Sequence, residues 1–428
     1  MKSASWSISL TLLAACPDSP DPHPQLTFDP PPSSSDAEDS GEASDPETTA
    51  TPTTAGPDET SDPLTSTTPG ETTDVPCEPD VCDDLECSTR DDGCGGELDC
   101  GGCPDGLTCQ GTSCELNAFD KATELWSTSN TTYPLRSIAW SVDGNFLASG
   151  GCDDFPTEGE FIVWHADGSG PVWGYEYPPQ GVLSVAWRPD GSEVVLGTQG
   201  SWPRIHSATT GDLVDELGGC HDGEIRGVSW RADGKRIASA GAAAASPGAK
   251  PEWCIWDADT HAEVFSQTDD STYAINDVAY TATDDLLAVV TDEFVGTYDG
   301  SYNGGPYVDF TGQLPEFTSL VGADWAPDNN RLLLWTYTQF FLVDFENDFV
   351  GGSIEYEDGV AEGAWSPGGH RFAIALVDGR VQIYDYDSGE LELQFTAHDS
   401  MTTIDWSFHE SYLATGGYEP RLAVWKLE

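Results

Sequence analysis

Eight cysteines stand within 38 residues of one another in the first third of the chain. Clustered thiols either pair as disulfides or ligate a metal. Only Cys100 and Cys103 have the close spacing of zinc ligands, and neither a second such pair nor a histidine stands nearby. The even number and the scarcity of apolar residues predict a module, residues 77–114, held by disulfides whose pairing stays open. Its cysteines are Cys77, Cys82, Cys87, Cys94, Cys100, Cys103, Cys109 and Cys114.

A group of acidic residues in the segment "GCDDFPTEGE" (151–160) could bind a cation. The carboxylates are Asp153, Asp154, Glu158 and Glu160. Calcium prefers carboxylate oxygens, so these residues are calcium candidates. They lack the fixed spacing of a calcium-binding loop, and a solvated acidic loop is the alternative interpretation.

Catalytic motifs are absent from the sequence. Neither H-E-x-x-H nor G-x-S-x-G occurs, and no Gly-rich loop is followed by Lys and Ser or Thr. The eight histidines are scattered rather than grouped. We therefore expect no catalytic residue and no obligatory cofactor. A hydrolytic or redox enzyme whose site is assembled from distant segments stays open as an alternative, because such a site leaves no short motif.

The N-terminus has the pattern of an export signal. Lys2 provides a positive start, a short apolar run follows, and the segment ends in the letters LAAC, which close with Cys16. The run is too short to span a bilayer. Its ending resembles the lipobox of bacterial lipoproteins, which implies a signal peptide at 1–15 and a lipid on Cys16. A plain secretory signal is the alternative.

The segment after the signal has the composition of a disordered tether. Residues 16–76 are rich in Pro, Ser, Thr and acidic residues and contain almost no large apolar side chains. The cysteine-rich module that follows resembles small modules that recur in secreted and surface proteins of myxobacteria. With the lipobox, this resemblance implies a lipid-anchored protein of the bacterial outer membrane or cell surface, with the periplasmic face as the alternative.

The charge of the chain limits its partners. The formal net charge is −59, and residues 115–428 carry 51 acidic residues against 14 basic ones. A field of this sign repels phosphate backbones and anionic lipid surfaces. We expect no nucleic-acid partner and no membrane attachment other than the lipid anchor.

The elements that position these residues come from a repeat. The stretch "IAWSVDGNFLASGG" (138–151) returns six more times, with aromatic anchors separated by 47, 43, 50, 45, 40 and 41 residues. The anchors are Trp140, Trp187, Trp230, Tyr280, Trp325, Trp365 and Trp406. Each unit contains apolar strands separated by turns such as "RPDGS", which favour hairpins. This period is typical of the blades of a β-propeller.

The pattern resembles the WD-repeat family of β-propellers over residues 118–428. The resemblance implies an all-β, seven-bladed propeller with a buried hydrogen-bond tetrad of His, Ser or Thr, Trp and a turn Asp. His221, Ser239 and Trp256 match the first three members, and an insertion replaces the turn Asp. We expect no complete tetrad in any blade. We also expect the strand within residues 120–129 to supply the outer strand of the last blade and thereby close the ring.

The family topology also implies where three further features lie. It places Cys220 in the loop entering blade three and Cys254 in the third strand of that blade, which predicts a disulfide between them. Trp202 would lie on the face where such propellers contact partners. The resemblance thus implies a non-enzymatic scaffold that binds a protein or peptide on its loop face. Binding of envelope glycans through the cysteine-rich module and the propeller loops is one alternative, and a hydrolytic or redox propeller enzyme with a site in the central channel is another.

Overall fold

A computed structural model describes most of the chain after residue 117. The described residues are 118–153, 158–176, 180–243, 249–268, 274–282, 286–299, 311–314, 319–345 and 349–428, with strand backbone at 89–91, 97–99, 107–110, 113–116 and 308–309. The predicted signal peptide, Cys16, the tether at 16–76 and most cysteines of the module lie outside these residues.

The chain divides into two compact units. The smaller unit lies within residues 29–117. It contains two antiparallel strand pairs, β1 (Thr89–Asp91) with β2 (Glu97–Asp99) and β3 (Leu107–Gln110) with β4 (Ser113–Leu116). Cys109 and Cys114 occupy directly opposed positions of the β3–β4 pair. The disulfide pairing of the module stays a prediction.

The larger unit is a ring of seven antiparallel sheets of four strands each, so the predicted all-β, seven-bladed propeller is confirmed. The strands of blades one to three are β6 (Leu135–Trp140), β7 (Phe146–Cys152), β8 (Gly159–His165), β9 (Pro171–Glu176); β10 (Val182–Trp187), β11 (Glu193–Thr198), β12 (Arg204–Ser207), β13 (Leu213–Glu216); and β14 (Ile225–Trp230), β15 (Arg236–Gly241), β16 (Glu252–Asp257), β17 (Glu263–Thr268). Blades four and five are β18 (Ile275–Tyr280), β19 (Leu286–Thr291), β20 (Val295–Asp299), β21 (Val308–Asp309); and β22 (Leu320–Trp325), β23 (Arg331–Thr336), β24 (Gln339–Asp344), β25 (Phe349–Glu355). Blades six and seven are β26 (Val360–Trp365), β27 (Arg371–Leu376), β28 (Arg380–Asp385), β29 (Leu391–Thr396); and β30 (Met401–Trp406), β31 (Tyr412–Gly417), β32 (Leu422–Leu427) with a fourth strand from the N-terminal side.

Burial explains why the middle strands of each blade are continuous apolar runs. The second strand of blade six, β27, is buried at every position, because neighbouring blades cover both faces of its sheet. Outer strands face solvent, and β17 is exposed at all but one position. The hairpin turns are as predicted: Gly144 and Gly191 adopt φ values of 70° and 73°, which glycine reaches without strain.

The two ends of the propeller close the ring together. Strand β5 (Ala122–Thr128) pairs antiparallel with β32 and forms the outer strand of blade seven. The backbone amide of Glu428 donates to the carbonyl of Lys121 at 2.8 Å, and the Lys121 amide donates to Glu428 at 2.9 Å. The predicted closure is confirmed, and it leaves the last blade without an unpaired third-strand edge.

The described residues include one helix, a single 3-10 turn at Thr311–Gln313. Within that part of the chain, no helix has the length and apolar character needed to cross a bilayer.

Candidate functional site

The seven inner strands share an irregularity at their second residue. In every blade the pairing of the inner strand with its neighbour shifts between the first and the third residue. Such a bulge leaves one residue out of the ladder and turns its side chain in a new direction. The residues at this position are Arg136, Leu183, Arg226, Asn276, Val321, Ala361 and Thr402. We call them the mouth ring.

All seven residues of the mouth ring line one cavity of about 570 Å³ at an end of the central channel. Turns between the second and third strands of the blades surround it. The cavity therefore opens on the loop face that the sequence predicts for partner contact. The ring offers a guanidinium in two blades, an amide in one, a hydroxyl in one and small or apolar groups in three. This mixture provides varied donors and contacts around a single opening.

Apolar side chains project from the turns around this mouth. Tyr337, Val377 and Tyr418 lie in the turns of blades five, six and seven, and each is exposed. The backbone at Gly359 and Val360 connects the first two turns. The amide of Val360 donates to the Tyr337 carbonyl at 2.8 Å, and the carbonyl of Gly359 accepts from the Val377 amide at 3.0 Å. The result is an exposed apolar arc next to the cavity.

The arc continues into blade one. The guanidinium of Arg136 lies 5.9 Å from the centre of the Tyr418 ring, a cation–π distance. In blade three, Arg226 donates to Asn276 at 2.7 Å and to Glu224 at 2.9 Å. The two arginines thus lie two blades apart around the opening, and both are held by neighbouring side chains.

Directly below the mouth ring, polar side chains join each blade to the next. At the third position of the inner strand, Ser137 accepts from the Val185 amide at 3.1 Å and Ser184 from the Val228 amide at 3.2 Å. Asp277, Glu362 and Thr403 make the same bond to Ala323, Ile404 and Ile138 at 3.1, 2.8 and 3.2 Å. We call these side chains, with the polar side chains at the fifth position, the channel ring.

The fifth position supplies the bond wherever the third cannot. Blades three and five have Gly227 and Gly322 at the third position, and there Ser229 and Asp324 accept from Tyr280 and Trp365 at 3.1 and 2.7 Å. The fifth residue is alanine in the other blades except blade seven, where Asp405 also accepts from Trp140 at 2.7 Å. Every blade interface therefore has at least one such bond.

The carboxyl groups of the channel ring have unusual proton affinities. Burial raises the pKa of Asp277 and Asp405 to about 7, that of Asp324 to about 6 and that of Glu362 to about 8. The carboxyl groups accept hydrogen bonds from backbone amides, which lower the pKa, but burial raises it by more. At neutral pH the channel holds protonated and ionised carboxyls together.

Polar side chains of the channel bind the neighbouring blades. The described residues that line the channel and its mouth include no histidine and no cysteine. The serines and carboxylates of the channel accept hydrogen bonds from backbone amides of adjacent blades. The arrangement can therefore hold the ring together.

Blade three contains the predicted His–Ser–Trp group. His221 Nε2 lies 2.7 Å from Ser239 Oγ, and Trp256 Nε1 donates to the same hydroxyl at 2.8 Å. No hydrogen-bond partner stands at the other ring nitrogen, Nδ1. Burial lowers the pKa of His221 to about 4, so the ring is neutral at physiological pH. Cys220 and Cys254 form a disulfide beside it, with Cα atoms 6.6 Å apart.

Blade seven corrects the prediction that no tetrad is complete. His398 Nε2 and Trp425 Nε1 contact Thr415 Oγ1 at 2.8 and 2.9 Å, and His398 Nδ1 contacts Glu419 Oε1 at 2.8 Å. Glu419 takes the place of the family's turn Asp. The prediction was wrong because it required Asp at this turn, whereas the longer Glu419 side chain reaches the imidazole from the same turn.

The aromatic anchors pack between blades. Trp187, Trp230, Tyr280, Trp325, Trp365 and Trp406 are buried, and Trp140 is partly buried. Trp202 lies in the turn after the second strand of blade two, on the mouth face. One side of its indole covers Gly218, where an added Cβ would approach within 3.3 Å. It still exposes 49% of its surface, so it both packs and remains accessible.

The acidic loop of blade one holds the chain that enters the blade. Glu160 accepts from the amides of Thr132 and Tyr133 at 2.7 and 3.3 Å, and the Tyr133 hydroxyl donates to Glu158 at 2.8 Å. Asp153 stands at the start of the loop, and Asp154 lies outside the described residues. Calcium binding by this loop stays a prediction.

The mouth and channel rings are the features that sequence reasoning missed. The anchors marked each inner strand, but the residues at its second position share no chemical type. A signal for the channel ring was present: where the third residue is glycine, the fifth is polar.

Comparison with known families agrees with this architecture. The profile described as "WD domain, G-beta repeat" matches residues 123–155, and that of the "Anaphase-promoting complex subunit 4 WD40 domain" matches residues 350–409. The first match runs from β5 into β7, across the seam where the ring closes. No curated protein matches the chain. The ring of seven four-stranded blades defines a β-propeller. Its His–Ser/Thr–Trp groups and the two profile matches support a WD-repeat propeller.

Proposed function

We propose that the propeller is a non-enzymatic scaffold that binds a protein or peptide at the mouth of its channel. The observation that carries this proposal is the mouth itself. A bulge in every blade directs one side chain into a single cavity of about 570 Å³, and an exposed apolar arc borders it. Aromatic and arginine side chains of this kind are enriched in protein interfaces.

The channel ring supports a binding role over catalysis. Its polar side chains accept hydrogen bonds from adjacent blades, so their role is to hold the blades together. The mouth-ring residues are bulged and lie outside the strand ladder, and among their side chains Arg226 and Asn276 also bond to the next blade. A partner can therefore contact varied side chains on a rigid support, which limits the entropy lost on binding.

We further propose that the chain is a lipoprotein of the bacterial envelope, anchored through Cys16 at the outer membrane or cell surface. The support is the sequence alone: an export-type start that ends in LAAC, and an acidic segment with tether composition. Labelled palmitate should enter the wild-type chain and not the Cys16→Ser variant. Labelling of both chains, or of neither, would overturn the anchor.

Site-specific photo-crosslinking in the source cells tests the scaffold proposal. A photoreactive phenylalanine analogue replaces Tyr337, which is 64% exposed at the mouth. The matched control replaces Phe408, which is 60% exposed in a turn between first and second strands on the opposite face. Discrete protein adducts from position 337 and none from position 408 support the proposal. Equal adducts from both positions, or none from position 337, contradict it.

A further inference from the structure

Blade three brings three metal-ligating side chains together away from the mouth. The sulfurs of Cys220 and Cys254 and a ring nitrogen of His221 all lie within 4.8 Å of one another. All three residues are buried, and Cys254 has no exposed surface. Two sulfurs and an imidazole nitrogen are ligands that zinc and similar thiophilic cations prefer.

A second observation points to a ligand at this place. The Nδ1 atom of His221 is buried and has no hydrogen-bond partner. The hydroxyl of Ser239 orients the imidazole through its other nitrogen, Nε2. The same hydroxyl accepts a hydrogen bond from the indole of Trp256. Metal-bound histidines are commonly held in this way, with one nitrogen fixed by a neighbour and the other directed at the ion.

Glu252 lies on the same face of the blade, outside the group of three whose ligand atoms lie within 4.8 Å of one another. It precedes Cys254 by two residues on β16, so the two side chains project to the same side of the strand. Its Oε2 atom is buried and without a partner. Gly241 is paired directly with Glu252, and a Cβ at Gly241 would lie 2.7 Å from His221 Nδ1. Because Gly241 has no side chain, the space next to Nδ1 is not filled by a Cβ atom.

We propose that blade three holds one thiophilic divalent cation of the zinc class between Cys220, His221 and Cys254 when the disulfide is reduced, with Glu252 as the fourth ligand. The disulfide and the metal exclude each other. An external dithiol breaks the S–S bond by exchange, is itself oxidised to a disulfide and leaves one S–H on each cysteine. The cation then displaces both protons to solvent and binds the two thiolates.

Cobalt provides the probe, because its thiolate complexes absorb in the near ultraviolet and its tetrahedral complexes absorb in the visible. The protein is the full chain with the eight cysteines of residues 77–114 changed to serine, so that the module contributes no thiols. It is reduced with dithiothreitol, freed of reductant without air and titrated with Co²⁺, then with Zn²⁺. The oxidised chain is titrated in parallel.

We expect the reduced chain to bind one equivalent of cobalt with both sets of bands, and the oxidised chain to bind none. Cys254→Ser and His221→Asn should weaken binding by more than the roughly 10–100-fold that loss of an outer-shell partner costs. Glu252→Gln should weaken it less. Cys152→Ser, which removes the buried cysteine outside the site, is the control and should bind as the parent does.

The comparison of reduced and oxidised parent chains needs no substitution, so a variant that fails to fold does not decide the result. The proposal is overturned if the reduced parent binds no more cobalt than the Cys220→Ser, Cys254→Ser chain. It is also overturned if the oxidised parent binds as much as the reduced one.

Discussion

Arg136 and Ser137 are adjacent in the sequence and belong to two different rings of the same channel. Arg136 occupies the bulge of its strand and lines the mouth cavity. Ser137 returns to the ladder and accepts the amide of Val185 in the next blade. The same bulge recurs in all seven blades, and in blades three and five, where the third residue is glycine, the fifth residue accepts the bond from the next blade.

This difference shows how one strand separates recognition from support. The mouth ring varies in chemistry from blade to blade, and its hydrogen bonds across blades include those of Arg226 with Asn276 and of Asn276 with the Leu320 carbonyl. The channel ring is restricted to hydrogen-bond acceptors, and glycine at its third position is matched by a polar fifth residue. Substitutions in the channel ring should therefore change stability, and those in the mouth ring should change binding.

The largest effect is expected where the channel ring has a gap. At Gly322, an added Cβ would lie 2.3 Å from Cζ2 of Trp335, whose indole lines both the channel and the mouth cavity. Gly322→Ala should lower the unfolding free energy by about 1–3 kcal/mol, because a large buried ring must move. Urea unfolding measures this. An unchanged midpoint would show that the Trp335 ring is not confined.

Loss of a channel acceptor should have the next largest effect. Asp324→Ala leaves the Trp365 amide without its acceptor, and an unsatisfied buried amide costs about 1–3 kcal/mol. Removal of a buried acid offsets part of that cost. Asp324→Asn keeps an oxygen at the same place and should be closer to wild type. If the Ala and Asn variants unfold at the same urea concentration, the blade-to-blade bond contributes nothing measurable.

The channel acids should also make stability depend on pH. Burial raises the pKa of Asp277 and Asp405 to about 7 and that of Glu362 to about 8, above their ordinary values of 3.8 and 4.5. Between these values the folded chain binds protons that the unfolded chain has released, so the unfolding free energy falls as pH rises. We expect a decline from about pH 5 to about pH 8. The Asp277→Asn, Glu362→Gln, Asp405→Asn chain should show a smaller decline, and an identical slope would refute this origin.

The smallest stability effect is expected in the mouth ring. Arg136→Ala removes a partly exposed side chain whose guanidinium lies 5.9 Å from the Tyr418 ring of blade seven. The unfolding free energy should stay within about 0.5 kcal/mol of wild type, as for most surface substitutions. A larger loss of unfolding free energy, measured by urea unfolding, would mean that Arg136 stabilises the propeller. That result would contradict the separate roles of the mouth ring and the channel ring.

The repeat in the sequence was sufficient to predict the propeller, because each blade repeats the same apolar strands, turns and aromatic anchor. It also predicted the closing strand, since blade seven ends at Glu428 with its third strand. The mouth was not predictable. A bulge shifts which residues face inward by one position, and alternation of apolar residues does not reveal it.

The two tetrads show a similar limit at the level of single side chains. His221 was recognisable from its spacing to the blade-three anchor, and its buried Nδ1 atom has no hydrogen-bond partner. In blade seven, Glu419 reaches His398 from a turn where the family pattern has Asp. A motif of residue types describes the usual partners, whereas the distance spanned by the side chain decides which ones meet.

The most direct test of the account compares Arg136→Ala with Ser137→Ala. The affinity of the protein crosslinked at position 337 is measured for both purified variants and for wild type, beside their urea unfolding. The account predicts that Arg136→Ala weakens binding at least tenfold, a loss of about 1.4 kcal/mol, with unchanged stability. Ser137→Ala should lose stability and, while folded, bind as wild type does. Wild-type affinity in Arg136→Ala, or equal loss of affinity in both variants, would contradict the separation of a binding mouth from a supporting channel.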